Sequence, residues 1–155
     1  MELADILSQE SVIPCAKVAS KRQLLELLAE KAAGLVGVEA HTIFETLVAR
    51  EQLGSTGLGN GIAIPHGKIK DLPGVTAVFA RLVHPIDYDS VDDQPVDLVM
   101  MLLAPEGSGA DHLKALSRVA RLLRTEGVVE QIRATKDPAK LRDMLIAPAP
   151  INDAA

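Results

Sequence analysis

Between Pro95 and Pro105 the chain reads VDLVMMLLA, an almost unbroken apolar run interrupted by one carboxylate. A run of this kind does not alternate, so it suits a strand buried on both of its faces rather than one with a wet side. Whatever else this chain does, it must cover both sides of that strand. Residues 75–83, rich in Val, Ala and Phe and bounded by Pro-Gly and His-Pro, read as a second strand. VIPCAK, residues 12–17, reads as a short third strand, with Cys15 as a structural cysteine in it.

Helical patterns supply the cover. Ser20-Lys-Arg-Gln23 has the form of a capping box, and Leu24, Leu25, Leu27, Leu28, Ala32 and Leu35 then recur at helical spacing. Gly34 and Gly37 mark the end. A second helix is expected over 39–52, with Ile43, Leu47 and Phe44 inward. It ends in Arg50-Glu51-Gln52, which delivers Arg50 to the mouth of a glycine-rich segment. Asp87 to Gln94 is acidic and turn-like. Asp111 is the expected N-cap of a helix carrying Leu113, Leu116, Val119, Ala120 and Leu123. A shorter helix follows near 127–134, and Asp137-Pro138 opens another, with proline at the first helical position. There is no internal repeat and no interdomain linker. The expectation is one α/β domain with a mixed sheet over residues 1–146 and a flexible tail over 147–155.

Composition removes several function classes. A chain of 155 residues is long enough for a substantial core. With two Phe, one Tyr and no Trp, it lacks platforms for stacking single-stranded bases. A net charge of -5 gives no footprint for a phosphate backbone, so nucleic acid is not an expected partner. One cysteine excludes a disulfide framework. The acidic N-terminus lacks the order of a signal peptide, and no apolar run approaches the ~20 residues of a membrane span. A cytoplasmic location without membrane insertion is expected.

The chemistry concentrates in GSTGLGNGIAIPHGK, residues 54–68. A Walker A loop would need Ser or Thr after Gly67-Lys68, where Ile69 stands. The dinucleotide fingerprint fails on spacing and on the Ile-Ala-Ile-Pro that follows it. His41, His66, His84 and His112 have no zincin spacing, and no nucleophile elbow is present. No metal or cofactor is expected, although a tertiary site built from His66, His112 and a carboxylate stays open. His66 itself is then the reactive candidate. A neutral imidazole can attack phosphorus and pass the phosphoryl group onward. Pro65 stiffens the backbone before it, Gly67 removes a side chain beside it, and the glycines could turn N–H groups toward an anion as a nest. On these letters alone, a plain strand-end histidine at a glycine turn remains the other reading.

REQLGSTGLGNGIAIPHGK closely resembles the active-site segment of the phosphotransferase-system EIIA proteins of the fructose/mannitol type, and GSTGLGNGIAIPHG most resembles their nitrogen-regulatory branch, EIIA-Ntr. The likeness continues through VDDQPVDLVMMLLAP and HLKALSRVARLLR, from about residue 5 to 145. It implies a mixed sheet of about five strands with helices on both faces. It also implies that His66 is phosphorylated, at Nε2, by a small phosphocarrier, HPr or its nitrogen-branch counterpart NPr. His112 would be the second active-site histidine, holding the phosphoryl group or orienting His66, and Arg50 the active-site arginine. Ser55, Thr56 and Gly67 are candidates to bind the phosphoryl group, although the two hydroxyls could merely serve the turn; Lys68 could steer a partner or be a plain surface lysine. His41 and His84 are expected to face solvent.

Three functions follow as expectations. One is a regulatory phosphoacceptor whose state controls binding to targets such as potassium transporters or sensor kinases. Another is a sugar-transport EIIA relaying phosphate to a IIB cysteine, though this chain contains no IIB or IIC segment. The third is a binding module in which His66 is never phosphorylated.

Overall fold

The computed structural model describes residues 2–147. Its elements run α1 (Leu3–Ile6), a 3-10 turn (Gln9–Ser11), β1 (Val12–Ala16), α2 (Lys21–Val36), α3 (Ala40–Gln52), β2 (Gly57–Gly59), β3 (Ile62–Ala63), β4 (His66–Ile69), β5 (Thr76–Ile86), β6 (Val96–Pro105), α4 (Gly109–Leu122), α5 (Glu126–Arg133) and α6 (Pro138–Ile146). The apolar run between the prolines is β6. It lies inside the sheet, antiparallel to β5 on one side and parallel to β3 and then β4 on the other.

Burial along β6 explains why its sequence does not alternate. Leu98, Met100 and Leu102 point into a core shared with α1, α4, α5 and α6. Val99, Met101 and Leu103 point into a second core beneath α2 and α3. All six are fully buried, each contributing roughly 1.5–3 kcal/mol from removal of apolar surface. β5 divides likewise, with Ala77 and Phe79 on one face and Val78 and Ala80 on the other. The expected mixed α/β sheet with helices on both faces is what forms. It has six strands, because the glycine-rich segment contributes three short ones.

Local signals act as the sequence suggests at two helix starts. Ser20 Oγ accepts from the Gln23 N–H at 3.2 Å, while Gln23 Oε1 accepts from the Ala19 N–H at 2.8 Å. Asp137 Oδ1 accepts from the Ala139 N–H, with Pro138 in the first turn of α6. Other expectations are corrected. Helix α4 begins after Ser108 rather than Asp111, and its inward residues are His112, Ala115 and Val119. Leu113 is therefore turned out, 66% exposed. Cys15 is exposed rather than packed, because the β1–β5 ladder slips between Ile13 and Ala16. Apart from Ala147, the expected tail lies outside the described residues.

Candidate active site

Residues 57–63 form a hairpin, not a loose loop. β2 and β3 pair antiparallel, Gly57 with Ala63 and Gly59 with Ile62. Between them Asn60 and Gly61 both take positive φ, 57° and 82°, the combination a type I′ turn requires. The positive φ favours glycine at 61, and a Cβ there would also displace the ends of the Arg133 and Asp97 side chains. Two side chains clamp the turn from opposite sides. Asp92 Oδ2 accepts from the Asn60 N–H at 2.9 Å, and Arg133 Nη2 donates to the Asn60 carbonyl at 2.6 Å. The Arg133 fork also holds Asp97, with Nε–Oδ2 and Nη2–Oδ1 both at 3.0 Å. The Asn60 N–H, followed by that of Gln94, holds the Asp92 carboxyl below the usual carboxylate range.

Three N–H groups of this segment are already engaged within the chain. The Asn60 and Thr56 N–H groups face carboxylates of the chain itself, Asp92 and Glu51, and the Gly57 N–H meets Ser55 Oγ. Ser55 and Thr56 are placed the same way. Ser55 Oγ donates to the Tyr88 carbonyl at 2.9 Å, and Thr56 Oγ1 donates to Glu51 Oε2. Each hydroxyl has one hydrogen, and both are directed into the fold rather than toward His66. Sequence reasoning missed the cluster that holds them. Glu51, its side chain 5% exposed, is paired with Lys21 at 2.9 Å. Tyr88 is fully buried, with its hydroxyl 3.1 Å from Thr56 Oγ1 and Lys21 Nζ 4.4 Å from its ring centroid. Burial, then the Glu51 carboxylate, pushes the Tyr88 phenol far up, so it remains a neutral donor.

From the hairpin the chain passes Ile64 and Pro65 into β4, which lies beside the C-terminal half of β6 with His66 opposite Leu102. Strand alternation separates the neighbours. Gly67 faces α3 and touches Thr46, while His66 turns to the other layer and meets His112 from the first turn of α4. The two imidazoles lie edge to face, centroids 5.4 Å apart and planes at 74°. Arg50 arrives from the last turn of α3, reaching round the open side of β4. Arg50, His66 and His112 are thus brought together.

Hydrogen bonds assign the protons. His66 Nδ1 is 2.9 Å from the Ile64 carbonyl, which can only accept, so Nδ1 carries the hydrogen and Nε2 keeps its lone pair. Arg50 Nε donates toward that lone pair at 3.3 Å, and Arg50 Nη1 is tied to the Gly54 carbonyl at 2.9 Å. His112 is 6% exposed, and its buried Nε2 meets no hydrogen-bond partner among the described residues. Burial, then the neighbouring His66 and Lys68, pulls its pKa below the ordinary histidine range. An unprotonated ring nitrogen, a tethered guanidinium and a second imidazole with an unpartnered Nε2 therefore lie side by side. Lys68 is exposed on β4; His41 and His84 are exposed away from it, His41 Nε2 lying 2.9 Å from Glu45. Among the described residues, no helix is long and apolar enough to cross a membrane.

The chain is 50% identical over 148 residues to a nitrogen regulatory protein of Bradyrhizobium diazoefficiens, covering 96% of this chain and 97% of that one. It is 37% identical over 146 residues to the nitrogen regulatory protein of Escherichia coli, covering 94% and 90%. The crystal structure of nitrogen regulatory protein IIA-Ntr from Neisseria meningitidis superposes with a TM-score of 0.88 at 33% identity, over 92% of this chain and 98% of that one. A family model described as the phosphoenolpyruvate-dependent sugar phosphotransferase system, EIIA 2, matches residues 5–147. With relatives of that similarity and a match of that length, the chain belongs to the EIIA 2 family of the phosphotransferase system.

Proposed function

We propose that the protein is a phosphoryl-accepting regulator of the nitrogen branch of the phosphotransferase system, with His66 as its phosphoacceptor. The tautomer of His66 supports this most directly. With Nδ1–H held by the Ile64 carbonyl, Nε2 is the nitrogen with an available lone pair, and the Arg50 guanidinium already stands against it. The names of the relatives support the regulatory branch.

A small phosphocarrier of the HPr/NPr type would present its phosphoryl group at the exposed side of His66. The Nε2–phosphorus bond forms as the bond from phosphorus to the carrier breaks, and no proton moves, because Nε2 carries none. As the phosphoryl group approaches, Arg50 turns its donors from the lone pair to the equatorial oxygens, which frees Nε2 to attack and sets a planar fork against the phosphoryl group. His112, buried and with Nε2 unpartnered, supplies a further hydrogen-bond donor on the α4 side. Ser55 and Thr56 hold the hairpin instead of the phosphate. The added dianion changes the charge of a spot framed by α3, β4 and α4, and so alters which target proteins, potassium transporters or sensor kinases among them, can dock there.

Phosphoryl transfer from phosphoenolpyruvate through enzyme I and the carrier, followed by intact mass, tests this. One phosphate on the wild type and none on His66→Ala is expected. Labelling of the His66→Ala protein, or none on the wild type with cognate carriers, would overturn it. Onward transfer to a IIB cysteine would reassign the protein to sugar uptake.

A further inference from the structure

We propose that Gly67 is a positioning residue for the site. Its missing side chain lets α3 seat on β4 through Thr46, and that seating carries Arg50, one turn further along the helix, to Nε2 of His66.

The backbone at residue 67 does not ask for glycine. Its φ lies outside the left-handed region, and it sits in regular parallel pairing with Leu103. The requirement is space. A Cβ built there would stand 2.6 Å from Thr46 Cγ2 and 3.8 Å from Thr46 Cβ, against an optimum of roughly 3.5–4.0 Å between carbons. Thr46 is poorly able to turn that methyl aside. Its Oγ1 donates to the Thr42 carbonyl at 2.8 Å, which fixes the rotamer of a β-branched side chain. Nor can α3 rise freely, since Ile43 and Leu47 on its inner face are fully buried.

Thr46 and Arg50 are four residues apart on α3 and share its half-buried flank. A shift that relieved Gly67→Ala at Thr46 would therefore act on Arg50 as well. The Arg50 Nε to His66 Nε2 contact, at 3.3 Å, is already at the long end of a hydrogen bond, so a displacement near 1 Å removes it. The PHG order thus has a division of labour: the histidine faces α4, and the glycine sets how closely α3 approaches.

The consequence for transfer rests on His66 being the phosphoacceptor; the geometry does not. Three full-length variants test both: Gly67→Ala, Thr46→Ser, which removes only the methyl, and the two combined. In the unphosphorylated proteins, nitrogen-15 NMR reads the Arg50 Nε–H and the His66 Nε2 shift. Transfer from the phosphocarrier reads the rate. Gly67→Ala is expected to lose the His66-bonded Arg50 signal and to slow transfer on the order of 10–100-fold. Thr46→Ser should behave as wild type, and the combined variant should regain both signals. An intact Arg50–His66 contact in Gly67→Ala, or a folded combined variant that regains nothing, would overturn the proposal. Should Gly67→Ala fail to fold, recovery of fold and contact in the combined variant supports it, and failure of both overturns it. If wild type itself accepts no phosphate, the phosphoacceptor role falls while the NMR comparison still decides the role of Gly67.

Discussion

In the proposed transfer His66 supplies a lone pair and Arg50 a fixed charge, and each can be probed alone. Arg50→Ala removes the donor to Nε2 and the tie to Gly54 while leaving the core untouched. Transfer from the carrier should fall about 100-fold with little change in unfolding midpoint; an unchanged rate would remove Arg50 from the site. His112 adds a pH dependence of known sign. Its pKa is lower in the fold than in the unfolded chain, so the unfolded chain takes up the proton first as pH falls. Its contribution is complete above the ordinary histidine pKa and is lost on acidification toward the depressed one. Denaturant unfolding at about pH 7.5 and about pH 5.5 should therefore show a steeper loss for wild type than for His112→Asn. Equal losses would contradict the buried, neutral imidazole. His66 and Arg50 were legible as residues because their letters sit in a distinctive string. The inward direction of His112 was not, because a pattern of apolar letters promotes Leu113 and cannot count a histidine as part of the inner face.

At the scale of elements, β5, β6, α2 and α3 were legible because burial on one or both faces leaves a period in the sequence. The hairpin is less evident from the letters. Glycine density suggests looseness, whereas the informative signal was the Asn60-Gly61 dipeptide between two short apolar pieces. The Lys21–Glu51–Thr56–Tyr88 cluster was invisible for another reason: its members come from α2, α3, the approach to β2 and the loop before β6, and no local pattern joins them. Gly61→Ala puts a side chain at positive φ and into Arg133, and should destabilise the fold by roughly 1–3 kcal/mol in denaturant unfolding. A neutral effect would mean that the clamp by Asp92 and Arg133 is not holding the turn. Leu102→Ala, opposite His66 in β6, should lower stability by about 2–5 kcal/mol, read from the same unfolding curves.

For the whole molecule, the site exists because the sheet is open beside β4. There the helical layers on the two faces come within reach of one strand, so α3 can supply Arg50 and α4 can supply His112 to the same imidazole. A doubly buried strand in the middle of a sheet makes that possible, which is why the run between Pro95 and Pro105 is the spine of the site as well as of the fold. Its consequence is a specific nitrogen. Nitrogen-15 and phosphorus-31 NMR of the protein phosphorylated through its carrier measures this directly. Phosphorus coupled to Nε2 of His66, with Nδ1 still protonated, is the predicted result. Phosphorus on Nδ1, or on His112, would contradict the account.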